Sequence, residues 1–91
     1  DRLLDVLLIS ALIEARSCER FQVLADGVPD AALAALYRSL LASEARHHGL
    51  YLDLADTLVP RAVREARLAV LARAEAEIVA RPCDFVRLHA G

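Results

Sequence analysis

A Glu-x-x-His step in the middle of a long apolar stretch is the strongest chemical signal in this chain. It consists of Glu44 and His47, which are three residues apart. On a helix, residues with this spacing have Cβ atoms about 5–6 Å apart, so a carboxylate oxygen and an imidazole nitrogen can reach one metal ion. A further acid, Glu14, lies within the preceding apolar stretch. These three side chains together predict a metal site that draws on two helices.

The ligand types indicate which metal such a site would hold. Carboxylate and imidazole ligands in combination favour iron or manganese over structural zinc. The set corresponds to half of the ligands of a di-iron site in a four-helix bundle, where two further helices supply the other half. One alternative stays open: Glu14 and Glu44 pair with arginine residues, and the Glu-x-x-His step is an ordinary surface pair.

Three neighbouring residues have more than one interpretation. His48 follows on the same broad face and is interpreted as an alternate ligand, a partner of the ligands or a core histidine. Tyr37 and Tyr51 lie one helical repeat on either side of the Glu-x-x-His step and either donate hydrogen bonds to the ligands or fill the core. No catalytic residue beyond the metal ligands is predicted.

Arginine residues recur near the start of the third apolar stretch. Arg61, Arg64 and Arg67 are spaced three residues apart. Such a stripe is suited to contacts with the phosphates of RNA. The commoner explanation for surface arginines is that they balance nearby acidic residues, and both interpretations stay open here.

The apolar pattern has the period of helices throughout, which predicts an all-α fold. Helices are expected at about residues 3–24, 31–55 and 61–79, followed by a tail at 80–91 that packs through Phe85 and Leu88. The break between the first two helices contains Gly27, Pro29 and Asp30, residues typical of a helix end and a helix start. Because this loop is short, the first two helices are expected to form an antiparallel hairpin.

Helical spacing also predicts which residues of each helix face the core. For the first helix the expected apolar face is Leu3, Leu7, Ala11, Glu14, Cys18, Phe21 and Ala25. For the third helix the expected seam is Val63, Ala66, Val70, Ala74 and Ile78.

Composition limits the classes of protein to be considered. With 91 residues, of which 57% are hydrophobic, the chain is one small domain or a fragment of one. A net charge of −2 gives no general attraction to nucleic acid. Cys18 and Cys83 match no zinc or redox spacing, which predicts a reduced, cytoplasmic setting, and no apolar run has membrane-spanning length. Because the chain lacks Met and begins with residues typical of a helix interior, we expect it to be truncated at the N-terminus.

Two segments carry a resemblance to a known family. They are residues 11–21 (ALIEARSCERF) and residues 37–48 (YRSLLASEARHH), and the likeness continues through residues 51–55. These segments resemble the C-terminal half of the bacterial tRNA 2-methylthio-N6-isopentenyladenosine hydroxylases, known as MiaE. The resemblance implies half of a ferritin-like four-helix bundle, with Glu14, Glu44 and His47 at the family's metal-ligand positions.

The resemblance also implies an activity. Family members are non-haem di-iron monooxygenases that use O2 and an electron donor to hydroxylate the isopentenyl group of the modified adenosine at tRNA position 37. Two iron ions are therefore the expected cofactor and tRNA the expected partner, while an N-terminal half or a second copy of the chain is needed to complete the bundle. The alternatives are a ferritin-like metal-binding module completed by homodimerisation, or a non-catalytic helical interaction fragment.

Overall fold

The computed structural model describes residues 1–80, which form three helices and confirm the all-α prediction. They are α1 (Arg2–Gly27), α2 (Ala31–Leu58) and α3 (Arg61–Ala80). The first two helices extend three residues further at their C-terminal ends than the apolar pattern indicated. Ala80 belongs to α3 rather than to the tail. The rest of the expected tail, with Phe85 and Leu88, lies outside the described residues.

Local chemistry explains where the helices begin and end. The Asp30 carboxylate accepts a hydrogen bond of 2.9 Å from the backbone N–H of Leu33 and so caps the start of α2. The residues that follow α1 and α2, Val28 and Val59, are both extended. Each precedes a proline, whose ring disfavours helical geometry in the preceding residue. Proline therefore ends both helices and leaves short connections.

Helices α1 and α2 form the expected antiparallel hairpin. His48 contacts the carbonyl oxygen of Ala11, and Cys18 contacts the carbonyl oxygen of Leu41. Later residues of α1 therefore contact earlier residues of α2, as in an antiparallel pair. Small buried residues, among them Ala11 and Ala34, lie along this interface, which lets the two helices approach each other closely.

Helix α3 packs against the start of α1 and the end of α2, in an up-down-up arrangement. The core at this end contains the fully buried Leu8, with Leu68 and Leu71 of α3 packed against it. Ion pairs hold α3 along α1: Arg67 bonds Asp5 at 2.8 Å, and Arg16 bonds Glu75 at 2.7 Å. The later residue of α1 pairs with the later residue of α3, so α3 runs parallel to α1.

The predicted face of α3 is wrong. Its seam residues Val63, Val70 and Ile78 are between 49 and 63% exposed. The residues that face inward are instead Arg64, Leu68, Leu71 and Glu75, which also follow steps of three and four. Helix α3 has apolar residues on two sides, and the side that packs combines Leu68 and Leu71 with the ion pairs made by Arg64 and Glu75.

The predicted face of α1 is also wrong at its start. Leu3 is exposed, whereas Leu4 and Leu8 are buried. This end of α1 packs against both α2 and α3, so the buried stripe turns toward α3. Among residues 1–80, no helix is both long and apolar enough to cross a membrane.

Candidate metal centre

Glu14, Glu44 and His47 converge across the hairpin. One ligand atom from each side chain can be chosen so that all three lie within 4.8 Å of one another. Glu14 comes from α1, whereas Glu44 and His47 come from consecutive turns of α2. The antiparallel pairing places Glu14 opposite the Glu-x-x-His step, so the fold brings together the residues that spacing predicted as ligands.

The distances fit a small divalent cation. Two atoms bound to one ion at about 2.1 Å each cannot be more than about 4.2 Å apart. Nδ1 of His47 and Oε2 of Glu14 are 4.0 Å apart, which is already within this limit. Because all three ligand atoms lie within 4.8 Å of one another, side-chain movements of about half an ångström bring all of them within bonding distance of one ion.

The environment of Glu14 supports this fit. Its Oε2 atom is buried and has no hydrogen-bond partner, although an unpaired buried oxygen of a carboxylate is strongly unfavourable. Among the residues that the structure describes, no arginine forms an ion pair with Glu14 or Glu44, unlike the arrangement expected in the alternative interpretation. A bound cation would supply the missing partner.

The site opens away from α3. Leu12 and Arg16 of α1 face α3, since they line the groove beside it or bond to Glu75. Glu14 is two residues from each of them, which is about 200° of rotation around the helix. The His47 side chain is 53% exposed, against 18% for Glu14. The ligands therefore lie on the face of the hairpin that no described helix covers.

His48 turns inward rather than toward the metal ligands. Its Nδ1 is 2.7 Å from the carbonyl oxygen of Ala11. A carbonyl oxygen can only accept, so Nδ1 carries the proton and donates it. This contact makes His48 a bridge between α2 and α1 at the level of the site, and His48 is not in the group of three converging ligands.

The two tyrosines are half-buried beside the site. The Tyr37 ring stacks on Phe21 with the ring centroids 6.3 Å apart, so it fills the hairpin interface. No hydrogen bond from either Tyr37 or Tyr51 is found among the described residues, and a contact with a ligand stays a prediction for both.

The arginine stripe is engaged in ion pairs. Arg64 is only 9% exposed and bonds Asp56 at 2.8 and 3.2 Å, while Arg61 lies 3.5 Å from the same carboxylate. Arg67 bonds Asp5 through two nitrogen atoms. These groups anchor α3, and contact with tRNA stays a prediction for them.

The same ion pairs have electrostatic consequences. The hydrogen bonds from Arg64 hold the pKa of the Asp56 carboxyl below its usual value, and those from Arg67 do the same for the pKa of Asp5. The sequence analysis did not predict either pair. Asp5 and Arg67 are 62 positions apart, and no local pattern indicates such a contact.

Comparisons with known proteins identify the family to which this chain is similar. A family model described as tRNA-(MS[2]IO[6]A)-hydroxylase (MiaE) matches residues 1–90. A protein of Pseudomonas putida named tRNA 2-(methylsulfanyl)-N(6)-isopentenyladenosine(37) hydroxylase is 40% identical over 90 residues, which is 99% of this chain and 43% of the relative. A Salmonella typhimurium protein of the same name is 43% identical over 89 residues, which is 98% of this chain and 32% of that relative.

The chain thus spans less than half the length of these curated relatives. No solved structure gave a significant match. The family model covers nearly the whole chain, and on that basis the chain belongs to the MiaE family.

Proposed function

From this family membership we propose that the chain is part of a tRNA-modifying hydroxylase with a non-haem di-iron centre. The substrate would be 2-methylthio-N6-isopentenyladenosine at tRNA position 37. Its isopentenyl side chain would gain one oxygen atom from O2, and two electrons from a donor would reduce the other atom to water. The observation that carries this proposal is the convergence of Glu14, Glu44 and His47 in a chain of this family.

The chain's own residues would bind and orient the metal. Glu14 from α1 and Glu44 with His47 from α2 would provide two carboxylates and one imidazole. Bound iron would supply the O2 chemistry that hydroxylation of an unactivated C–H bond requires. The buried oxygen of Glu14 would face the metal from the protein interior, while the exposed His47 would hold it at the open side.

The proposed site needs further ligands. Four-helix di-iron sites use a Glu from each of two helices and a Glu-x-x-His from each of the other two. The hairpin of α1 and α2 provides half of that set. A second hairpin, from an N-terminal half or from another copy of the chain, would have to cover the open face and provide the rest.

Contact with tRNA would rest mainly on arginine side chains. Arg61 and Arg67 are exposed enough to contact phosphate if they exchange their aspartate partners for it. Arg64 is buried and would have to break its pair with Asp56 first. Because tRNA is the proposed substrate, we place the reaction in the cytoplasm.

The metal part of the proposal is tested by loading the chain with Fe(II) under anaerobic conditions and measuring bound iron. We expect binding by the wild-type chain and loss of binding in Glu44→Ala. The matched control is Glu77→Ala, which removes an exposed carboxylate of α3 and should leave binding unchanged. Equal iron content in both variants would contradict the metal site.

The reaction is tested on tRNA that carries the isopentenylated nucleoside. Iron-loaded chain, reductant and O2 are added, and the digested tRNA is analysed by mass spectrometry for a gain of one oxygen. We expect product when a second hairpin completes the ligand set of the chain, and none when the chain carries Glu44→Ala. If iron binds through Glu44 but no hydroxylated nucleoside forms, hydroxylation by this chain is excluded while the metal site stands.

A further inference from the structure

Two contacts hold the segment of α1 that contains Glu14, and they reach it from different helices. One is the hydrogen bond from His48 of α2 to the carbonyl oxygen of Ala11. The other is the ion pair between Arg16 of α1 and Glu75 of α3, whose Nε and Oε1 atoms are 2.7 Å apart. Glu14 follows Ala11 by three residues and precedes Arg16 by two. This candidate ligand therefore lies between an anchor to α2 and an anchor to α3.

The ion pair between Arg16 and Glu75 lies where the apolar packing between α1 and α3 ends. Leu71 of α3 packs against the core that contains Leu8. Beside this contact, an apolar groove of about 260 Å³ lies between the two helices, and Leu12, Leu71 and Glu75 are among its lining residues. Because the groove leaves this part of α3 without close apolar packing, the ion pair is what joins α3 to α1 one turn after Leu71.

The exposure of this ion pair limits how much it contributes to stability. The side chain of Arg16 is 41% exposed and that of Glu75 is 25% exposed, and solvent screens a pair of this kind. Glu19 lies 3.5 Å from Arg16 and would still neutralise its charge if Glu75 were removed. Arg64 and Arg67 would still anchor the start of α3. The pair can therefore be broken in a chain that stays folded.

Helix geometry transmits a change at Arg16 to Glu14. Both side chains belong to one turn of α1, so a rotation of the helix turns them by the same angle. A rotation of about 10° displaces an atom that lies about 5–6 Å from the helix axis by about 1 Å. The groups of a functional site must be held within about 0.5 Å of their productive positions. A small rotation of α1 is therefore enough to move the Glu14 carboxylate out of bonding distance.

We propose that Glu75 is a positioning residue for the candidate metal site: through Arg16 it fixes the rotation of α1 and so holds the Glu14 carboxylate toward Glu44 and His47. This inference rests on the metal site of the proposed function but not on the tRNA reaction. Helix α3 contributes none of the three candidate ligands, yet it is coupled to metal binding. Such coupling is reciprocal, so a bound metal ion in turn holds the second half of α3 against α1.

The test is titration of the metal-free chain with Mn(II), which serves as an air-stable probe. Glu75→Ala should weaken Mn(II) binding by about threefold to fivefold, the range that a partly exposed ion pair can transmit. Glu75→Gln keeps an oxygen that can accept the hydrogen bond of Arg16 and should lose less. Arg16→Ala should lose as much as Glu75→Ala, and the double variant no more than either, because both residues act through one contact.

Asp5→Ala is the matched control, because it breaks the other ion pair between α1 and α3, the one with Arg67. Asp5 is nine residues from Glu14, which is about 13–14 Å along α1. The variant should therefore lower the unfolding temperature but leave Mn(II) affinity unchanged.

Hydrogen exchange provides a second readout, one that a purely structural role of Glu75 would not affect. Saturating Mn(II) should slow exchange of the backbone amides of residues 72–80 in the wild-type chain, by the same factor by which Glu75→Ala weakens binding. In Glu75→Ala, Mn(II) should leave this exchange unchanged.

Circular dichroism establishes that each variant is folded, and Arg16→Ala takes the place of Glu75→Ala if that variant is not. Unchanged Mn(II) affinity in Glu75→Ala would overturn the positioning role and leave the metal site standing. Equal weakening by Asp5→Ala would also overturn it, since any loss of stability would then have the same effect. A wild-type chain that binds no Mn(II) would overturn both the metal site and this inference.

Discussion

Nδ1 of His48 donates a hydrogen bond of 2.7 Å to the carbonyl oxygen of Ala11, and so joins α2 to the backbone of α1 beside the candidate metal ligands. His48 directly follows the candidate ligand His47, and Ala11 precedes Glu14 by one helical turn. The bond fixes how α2 is rotated against α1 at this level. That rotation determines whether Glu14 faces the Glu-x-x-His step.

We therefore expect His48→Phe to weaken metal binding although it leaves every ligand in place. Loss of a partner that orients ligands typically costs about 10–100-fold in metal affinity. Loss of the hydrogen bond itself should lower the free energy of unfolding by about 0.5–1.5 kcal/mol. Titration with Mn(II) and thermal denaturation of the metal-free chain measure the two effects.

His48→Gln is the matched control, because its amide can still donate to Ala11. It should recover part of the metal affinity that the phenylalanine variant loses. If both variants bind Mn(II) as tightly as the wild-type chain, His48 does not position the ligands.

A second prediction concerns the unpaired oxygen of Glu14. Glu14→Gln removes a buried charge that has no hydrogen-bond partner, so the metal-free variant should be more stable than the wild-type chain, by on the order of 1 kcal/mol. The neutral amide is a much poorer metal ligand, so stabilisation by Mn(II) should disappear. Thermal denaturation with and without Mn(II) measures both changes.

Glu77→Gln is the control for Glu14→Gln, since it neutralises an exposed carboxylate on α3, which contributes none of the three candidate ligands. It should change neither the metal-free stability nor the response to Mn(II). A Glu14→Gln variant that is less stable without metal, and still stabilised by it, would mean that Glu14 has a structural role only.

The hairpin and the convergence of Glu14, Glu44 and His47 could be predicted from sequence because both depend on short-range signals. Pro29 and Asp30 fix a short loop, the loop makes the helices antiparallel, and helical spacing places Glu44 and His47 on one side. Glu14 then needs only the correct register along α1. Each step uses residues that are close in the chain or that share one helical face.

The orientation of α3 could not be predicted in this way. Its inward side contains Arg64 and Glu75, charged residues that a search for apolar spacing assigns to the surface. On the inward side, Arg64 forms an ion pair with Asp56 and Glu75 forms one with Arg16. The outer side has Val63 and is the more regular apolar row. Leu68 and Leu71 on the inward side pack against the core around Leu8, and the ion pairs of Arg64 and Glu75 allow these charged residues to face inward with them.

The ion pairs of α3 predict how stability depends on acid. The Arg64 guanidinium lowers the pKa of Asp56 below its usual value of 3.8. A carboxyl whose pKa is lower in the folded state stabilises the fold at any pH above its pKa in the unfolded state. This contribution is lost as the pH falls through its pKa in the folded state. Thermal unfolding temperature should therefore fall as the pH is lowered from about 5 toward 2.

The Asp56→Asn variant separates this ion pair from the other carboxylates. At neutral pH it should unfold at a lower temperature than the wild-type chain, because Arg64 is left buried without a charged partner. Its unfolding temperature should also change less between neutral and acidic pH. Glu77→Gln should retain the wild-type pH dependence, and an Asp56→Asn curve parallel to that of the wild-type chain would contradict the assignment.

Substitution of Gly49 is expected to raise the stability of the chain. It lies inside α2, and a Cβ atom added there would have no neighbouring atom within 4 Å. Glycine in a helix interior is about 0.5–1 kcal/mol less favourable than alanine, so Gly49→Ala should raise the unfolding temperature by a few degrees, about 4–8 °C per kcal/mol. Gly49 is two residues from His47, which is about 200° of rotation around the helix, so a methyl group there should leave Mn(II) affinity unchanged. Gly27→Ala is the control, because Gly27 lies at the end of α1 and a Cβ atom there would also meet no atom within 4 Å. Its unfolding temperature should rise less than that of Gly49→Ala. A larger rise for Gly27→Ala, or a fall for Gly49→Ala, would contradict this account of α2.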